Sequence, residues 1–468
     1  VPGVKVKVQG PVVAIEPLVD GQRFGRFGLQ LLVLSFLAMF ADGYDLTAMG
    51  FAAPHLARLW QLPAAELAPV LTASLVGILF GAPLLGWVGD RYGRRGAILL
   101  SLVLIGGATL AVTGATRLAQ IVALRCVAGV GIGGLMPNTI ALNSELAPRR
   151  LRATLVVLMF TGITLGGATP GPVAAWLLPR YGWQVLFWVG GLVPLAVAVL
   201  LYLRLPESVK FLVQRPARAA ELHRLVQRMR PDATFGDGAS YVLATPAGAG
   251  SGSAASLFRG ALALITPLLW VCFATALMTN FFLNSWLPLI FEHVGMPPAT
   301  AALATTLYHL GAAVGGILVS VLLDRLGFIA IAALFAVALL AVAGIGWPGF
   351  SHGTVAAFAA LAGLTVLGAQ FGNNAAAGLL YPPQVKSRGV GWALAVGRLG
   401  SIAGPLLGGL MLALHLPLQR LFLLATLPML VGTAAAVVLA RVYWLRSGSH
   451  QIDDALGARN PAVMFGPR

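Results

Sequence analysis

The chain is short of charge, shorter still of acid, and all but without cysteine. Only 10% of its 468 residues are Asp, Glu, Lys or Arg, against roughly 25% in a soluble domain. An ordinary water-soluble fold is excluded before any motif is considered. Two cysteines, Cys126 and Cys272, cannot build a disulfide framework; both fall in apolar runs and read as small core residues. Those runs also lack a His/Cys/Asp/Glu cluster at metal-ligand spacing and any evident nucleophile with its base, which argues against a metal, a cofactor or an enzyme. The first 25 residues place Pro2, Pro11 and Pro17 among scattered charges without an apolar core. A cleavable signal peptide is not expected, and the first long apolar run would direct insertion itself.

Apolar surface fills the chain instead. Hydrophobic residues make up 58% of it, and mean hydropathy is +0.87. Runs of the ~20 residues that a helix needs to cross a bilayer recur at 28–57, 65–89, 96–115, 119–145, 152–178, 184–204, 260–291, 299–323, 328–347, 354–381, 388–414 and 419–442. The expected fold is an all-α membrane protein of 12 transmembrane helices. A formal charge of +16 would suggest nucleic acid in a soluble protein. Here 25 of the 31 Lys and Arg fall in the terminal segments and the even-to-odd connections, and four (Arg58, Arg117, Arg180, Arg420) in the odd-to-even ones. The remaining two, Arg125 and Arg398, lie inside spans. This is the positive-inside bias: it puts both termini in the cytoplasm and names the lipid bilayer, not nucleic acid, as the partner.

The spans divide into two sets of six. Gly89-Asp90-Arg91-Tyr92-Gly93 recurs as Leu323-Asp324-Arg325-Leu326-Gly327, an offset of 234. Gly167-Ala168-Thr169-Pro170-Gly171-Pro172 recurs as Gly400-Ser401-Ile402-Ala403-Gly404-Pro405, an offset of 233, and Pro54 and Pro288 differ by 234. A duplicated transporter follows, with substrate bound near the midplane between the halves. Expected units are a cytoplasmic segment 1–27, a six-helix bundle 28–205, a cytoplasmic linker 206–258, a second bundle 259–442 and a cytoplasmic tail 443–468. Within the linker, Ala217–Arg230 can form a surface helix, and Ala247–Ser256 reads as flexible.

Gly86-Trp87-Val88-Gly89-Asp90-Arg91-Tyr92-Gly93-Arg94-Arg95 joins the second and third spans. Its glycines allow a tight turn. Asp90 can meet a helix N-terminus and pair with a nearby Arg, a contact able to latch the cytoplasmic side; the alternative is a solvated basic loop. Glu145 with Arg149, Arg150 and Arg152 can extend the network. Tyr381 replaces the acid in the second half, and Phe328-Ile329-Ala330 replace the basic pair after Asp324 and Arg325, so the latch is asymmetric.

That loop resembles the signature loop of the major facilitator superfamily. Pro206-Glu207-Ser208-Val209-Lys210 and Arg125-Cys126-Val127-Ala128-Gly129 are similar to two further motifs of it. Within the superfamily the chain resembles the aromatic acid:proton symporter family. The resemblance rests on Asp42-Gly43-Tyr44-Asp45 with Gly50 and Pro54, on Gly134-Leu135-Met136-Pro137-Asn138, and on Glu145-Leu146-Ala147-Pro148-Arg149-Arg150-Leu151-Arg152-Ala153-Thr154. It also rests on Tyr381-Pro382-Pro383, Gly389-Val390-Gly391-Trp392 and Gly397-Arg398. It implies two pseudo-symmetric six-helix bundles in a bacterial inner membrane, a monomer, and uptake of an aromatic carboxylate by alternating access. The proton is then the coupling ion, with no other cofactor.

Of 15 carboxylates, only Asp42 and Asp45 lie well inside a span. Charge there is costly and should face water or a partner, and spacing i, i+3 puts both on one helix face. Desolvation favours a neutral carboxyl and a neighbouring Arg an ionised one, a competition that makes a proton switch; a permanently paired Asp is the alternative. Arg125 can match Asp45 in depth, as the resemblance also implies, or bind backbone carbonyls instead. Arg398, near the midplane, suits a substrate carboxylate through two parallel hydrogen bonds, or an acidic group across the cavity. Candidate pocket residues are Tyr44 and Phe160 from the first half. From the second come Asn280, Asn284, Trp286, Tyr308, His309, Gln370, Phe371, Asn373 and Asn374, whose amides and phenol suit ring hydroxyls and whose aromatic faces suit a ring. Each has an inter-helix hydrogen bond as its alternative. Other readings of the whole chain are a carrier of a muconate-like acid or a sugar, an exporter, or a receptor that binds the acid without transport.

Overall fold

A computed structural model describes residues 12–148, 150–231, 240–242, 257–260, 262–381, 385–414 and 416–447. The expected flexible stretch Ala247–Ser256, Arg149 and the tail beyond Ser447 lie outside the described residues. Twelve helices among them are long and apolar enough to cross a membrane. They are α1 (Arg26–Trp60), α2 (Ala64–Tyr92), α3 (Arg94–Val112), α4 (Leu118–Leu146), α5 (Arg152–Ala168, resuming as Pro170–Tyr181) and α6 (Gln184–Arg204). The second set is α7 (Leu262–His293), α8 (Pro298–Leu326), α9 (Phe328–Ile345), α10 (His352–Leu380), α11 (Lys386–Ala413) and α12 (Leu418–Ala425, resuming as Leu427–Ser447).

Every expected span is found, with its ends moved by a few residues. The break in α5 falls at Thr169, before Pro170, and that in α12 at Thr426, before Pro428; proline cannot donate the hydrogen bond that would carry the helix through. Pro405 lies inside an unbroken α11.

The duplication is visible as matched contacts. In the first half α1 lies against α5 and α6, α2 against α4, and α3 against α4 and α6; α7, α8 and α9 repeat this with α10, α11 and α12. Among the described residues, the main contacts between the halves are α1 with α7, α2 with α11 and α5 with α8. The same two-fold relation maps the last two onto each other and the first onto itself, so equivalent positions of α1 and α7 meet. Gly50 faces the backbone carbonyls of its equivalent, Asn284, and of Ser285, with no room for a side chain. Eight residues on, Arg58 pairs with its own equivalent, Glu292, at 2.5 Å. Gly171 against Ala302 and Gly409 against Ala68 complete this seal, all at the end of the bundle opposite the chain termini. Large apolar side chains such as Phe80, Trp176, Ile317 and Leu340 are left exposed, as lipid-facing surface requires.

The described parts of the flanking segments hold a short sheet and a helix. A two-stranded parallel sheet pairs Val12–Ala14 with Ser240–Val242, a small exception to the all-α expectation. The expected surface helix runs over Ala219–Met229. Its Leu222, Leu225, Val226 and Met229 join Ile15 and Val19 in the core of the first half.

If the Arg58–Glu292 pair holds this end shut, Arg58→Glu should shift the closed-to-open ratio by up to about fivefold, the ~1 kcal/mol of a part-exposed pair. Adding Glu292→Arg should restore it. Spin-label distances across the α1–α7 ends measure both.

Candidate functional site

A cavity of about 160 Å³ lies between the halves. Its lining runs from the middle of the helices toward the end that carries the termini. Asp42, Gly43, Leu46 and Thr47 come from α1, Ile132 and Met136 from α4, and Phe160, Ile163 and Thr164 from α5. Across from them stand Leu277, Asn280, Phe281 and Asn284 of α7, His309 of α8, Leu367, Gln370, Phe371 and Asn374 of α10, and Leu394 and Arg398 of α11.

The two aspartates have different surroundings although one turn separates them. Asp45 is wholly buried and fully engaged. Arg125 Nη1 donates to both carboxylate oxygens at 2.8 Å and Nη2 to the Asp45 carbonyl at 2.8 Å, while Thr109 Oγ1 donates to Oδ1 at 2.5 Å. Asp42 lies in the cavity wall, 2% exposed, and its Oδ1 has no hydrogen-bond partner. It interacts electrostatically with Arg398 across the cavity but forms no direct ion pair with it. The cavity therefore holds one acidic and one basic side chain, from opposite halves, not bonded to each other.

Of the expected pocket residues, Phe160, Asn280, Asn284, His309, Gln370, Phe371, Asn374 and Arg398 line this cavity. Unpartnered buried atoms on Asn284 (Oδ1), His309 (Nε2) and Gln370 (Oε1) mark polar capacity that the fold leaves unused. Four expected residues stand elsewhere. Tyr44 turns away into the first half, where its hydroxyl donates to Leu186 O at 3.1 Å. Trp286 donates from Nε1 to Pro405 O at 3.0 Å, filling the α7–α11 contact. Tyr308 stands behind the wall and donates to Asn280 Oδ1 at 2.7 Å, fixing that amide. Asn373 is fully buried, one residue from the lining. Phe281, Thr47, Thr164 and the Asp45 partner Thr109 were not foreseen; threonine and phenylalanine in an apolar span give no signal of the face they occupy.

The loop between α2 and α3 makes its contacts within the first half. Asp90 pairs with Arg94, whose Nη1 donates to Asn138 Oδ1 at 3.2 Å. Gly93 turns the chain with φ +109°, and a β-carbon there would strike Glu207. Glu207 Oε1 accepts from Arg95 N at 3.1 Å and Ser208 N at 2.9 Å, and Ser208 Oγ donates to Glu145. Arg91 is exposed over the Trp87 and Tyr92 rings, and Arg152 donates to the Ala147 carbonyl, at 3.4 Å. Gly86 has open space beside it, so no contact there demands glycine. Arg325 is exposed, and the Asp324 side chain lies outside what is described. The expected latch is thus a clamp joining α2, α3, α4 and the segment after α6, with none of these bonds crossing to the second half.

A sequence model of the Major Facilitator Superfamily matches residues 35–289 and 269–458. The 4-hydroxybenzoate transporter PcaK of Pseudomonas putida is 33% identical over 92% of this chain and 96% of its own. A gallate transporter of the same organism is 34% identical over 93% and 96%. Among solved structures, a D-xylose-proton symporter superposes with a TM-score of 0.68 at 16% identity, covering 88% of this chain and 97% of that one.

Removing Arg125 alone (Arg125→Met) strands a buried carboxylate and should cost about 3–5 kcal/mol. The double variant Arg125→Met/Asp45→Leu should regain most of it in thermal unfolding; equal loss in both would refute the pairing energetics. Burial raises the Glu207 carboxyl above its usual 4.5, against hydrogen bonds from Ser208 and Arg95 and the Arg218 charge. The folded state therefore binds that proton more tightly, and the stability Glu207 adds is full at low pH and lost as pH rises through the raised value. Glu207→Gln should flatten the stability–pH curve above 4.5.

Proposed function

The chain belongs to the major facilitator superfamily, and on that premise we propose that it imports an aromatic carboxylate together with a proton by alternating access. It is a transporter and not an enzyme. Its relatives, transporters of 4-hydroxybenzoate and gallate, support the substrate class. The basic residues clustered on one side support a bacterial inner membrane with both termini cytoplasmic. In that orientation the sealed end faces outward and the cavity faces the cytoplasm. The superfamily resemblance supports a monomer.

One observation carries the coupling: Asp42 and Arg398 face a common cavity from opposite halves without being paired to each other. Empty, with Asp42 ionised, the cavity is neutral overall. A substrate carboxylate on Arg398 adds a negative charge, and an uncompensated charge in a closing, water-poor site is expensive. A proton on Asp42 restores neutrality, so the loaded carrier closes only when proton and anion are both aboard. Asp45 is less suited to that role, because releasing its carboxylate breaks the bonds from Arg125 and Thr109. Phe160, Phe281 and Phe371 offer faces to the ring. Asn280, Asn284, His309, Gln370 and Asn374 offer hydrogen bonds to ring hydroxyls, and the unpartnered atoms of Asn284, His309 and Gln370 favour hydroxylated acids over benzoate.

Uptake into proteoliposomes under an imposed pH gradient tests this. Asp42→Asn should retain exchange of internal for external substrate yet lose accumulation, since the empty carrier now carries an unbalanced Arg398. Full accumulation by that variant would exclude Asp42 as the proton carrier. Arg398→Ala should weaken substrate binding by at least ~tenfold; unchanged affinity would remove it as the anchor.

A further inference from the structure

A second, much smaller cavity lies beside the first, where α1 meets α7. It measures about 10 Å³, the room one water molecule needs. Leu46, Met49 and Gly50 of α1, Ser74 of α2, Arg125 of α4 and Asn284 of α7 are among its lining. Ser74, Arg125 and Asn284 are 4%, 1% and 6% exposed, and each carries a buried polar atom without a partner: Oγ, Nε and Oδ1 respectively. The residues that line this water-sized space thus carry an unpartnered donor, an unpartnered acceptor and a hydroxyl able to act as either.

We propose that this pocket is a water site that ties the two halves together. The water accepts from Arg125 Nε and donates to Ser74 Oγ and Asn284 Oδ1, three hydrogen bonds of the number usual for an internal water. Two of those groups belong to the first half and one to the second, so the site exists only while α1 and α7 are in contact. Arg125 is already committed to Asp45 through its other two nitrogens, and Asn284 also lines the main cavity. The water thus connects the buried ion pair to the substrate wall and holds the sealed end closed. The inference rests on alternating access but not on proton coupling.

Radiolytic hydroxyl footprinting in ¹⁸O-water tests occupancy. Met49 lines the pocket at 3% exposure, whereas Met39, 0% exposed, does not. Met49 should be oxidised well above Met39, and Ser74→Val, which removes a bond and fills the space, should bring it down to the Met39 level. Equal labelling of the two methionines, or no change in Ser74→Val, overturns the site. The latch is read separately in a protein with both native cysteines replaced by serine and Ala302→Cys introduced in the α5–α8 seal. Ser74→Val should speed its reaction with an impermeant maleimide about tenfold, within the range of inter-site coupling. The milder Ser74→Ala should do so to a lesser degree; an unchanged rate in both overturns the latch. Arg58→Glu is the reference that opens the same end. If it too leaves the rate unchanged, alternating access at this seal fails and the latch falls with it, whatever the accumulation assay says about the proton.

Discussion

Inside a bilayer a charge must be answered, and the bond between Arg125 and Asp45 is where this chain answers one most completely. Two carboxylate oxygens, a backbone carbonyl and a threonine hydroxyl are held in one knot between α1, α3 and α4. The knot fixes the rotation of α1 about its own axis. With Asp45 turned inward to α4, a residue three positions earlier is carried to the cavity wall, and Asp42 is presented to the substrate space. A structural ion pair and an exposed-to-cavity acid are two consequences of one helix orientation.

The second consequence is division of labour. A carboxylate that holds the bundle together is a poor proton exchanger, because each protonation event would loosen the fold. On the proposed coupling, separating the two tasks by one turn lets Asp42 change charge while Asp45 does not. On the proposed function, the partner of Arg398 is the cargo. The pseudo-symmetry of the helices is thus not matched by symmetry of charge: the corresponding part of α7 carries Thr279 and Asn280, and the acid comes from one half only.

The twelve helices and their pairing into halves were legible because lipid leaves a spanning segment no choice but an apolar helix. The Asp45–Arg125 contact was legible as one of two readings, from matching depth and the family resemblance, since few charges exist at that level. The orientation of uncharged side chains was not. In a soluble helix polarity marks the outward face, but here lipid-facing and protein-facing sides are both apolar, so Tyr44 and Trp286 looked as suitable for the pocket as Phe160 and Phe371. The sheet between Val12–Ala14 and Ser240–Val242 was equally hidden, because three-residue strands carry no periodicity to detect.

That sheet alters the mechanics of the machine. The connection between the halves spans 206–258 in the sequence, long enough to impose no restraint. With Ala219–Met229 seated on the first half and Ser240–Val242 paired to the amino-terminal strand, only residues 243–256 bridge to Leu257. At about 3.5 Å per residue their full contour is roughly 50 Å. The halves are leashed rather than loosely strung, and the leash is fastened by the strand Val12–Ala14. Shortening the amino terminus through Ala14 would therefore lengthen the effective tether from a distance, without touching the linker itself.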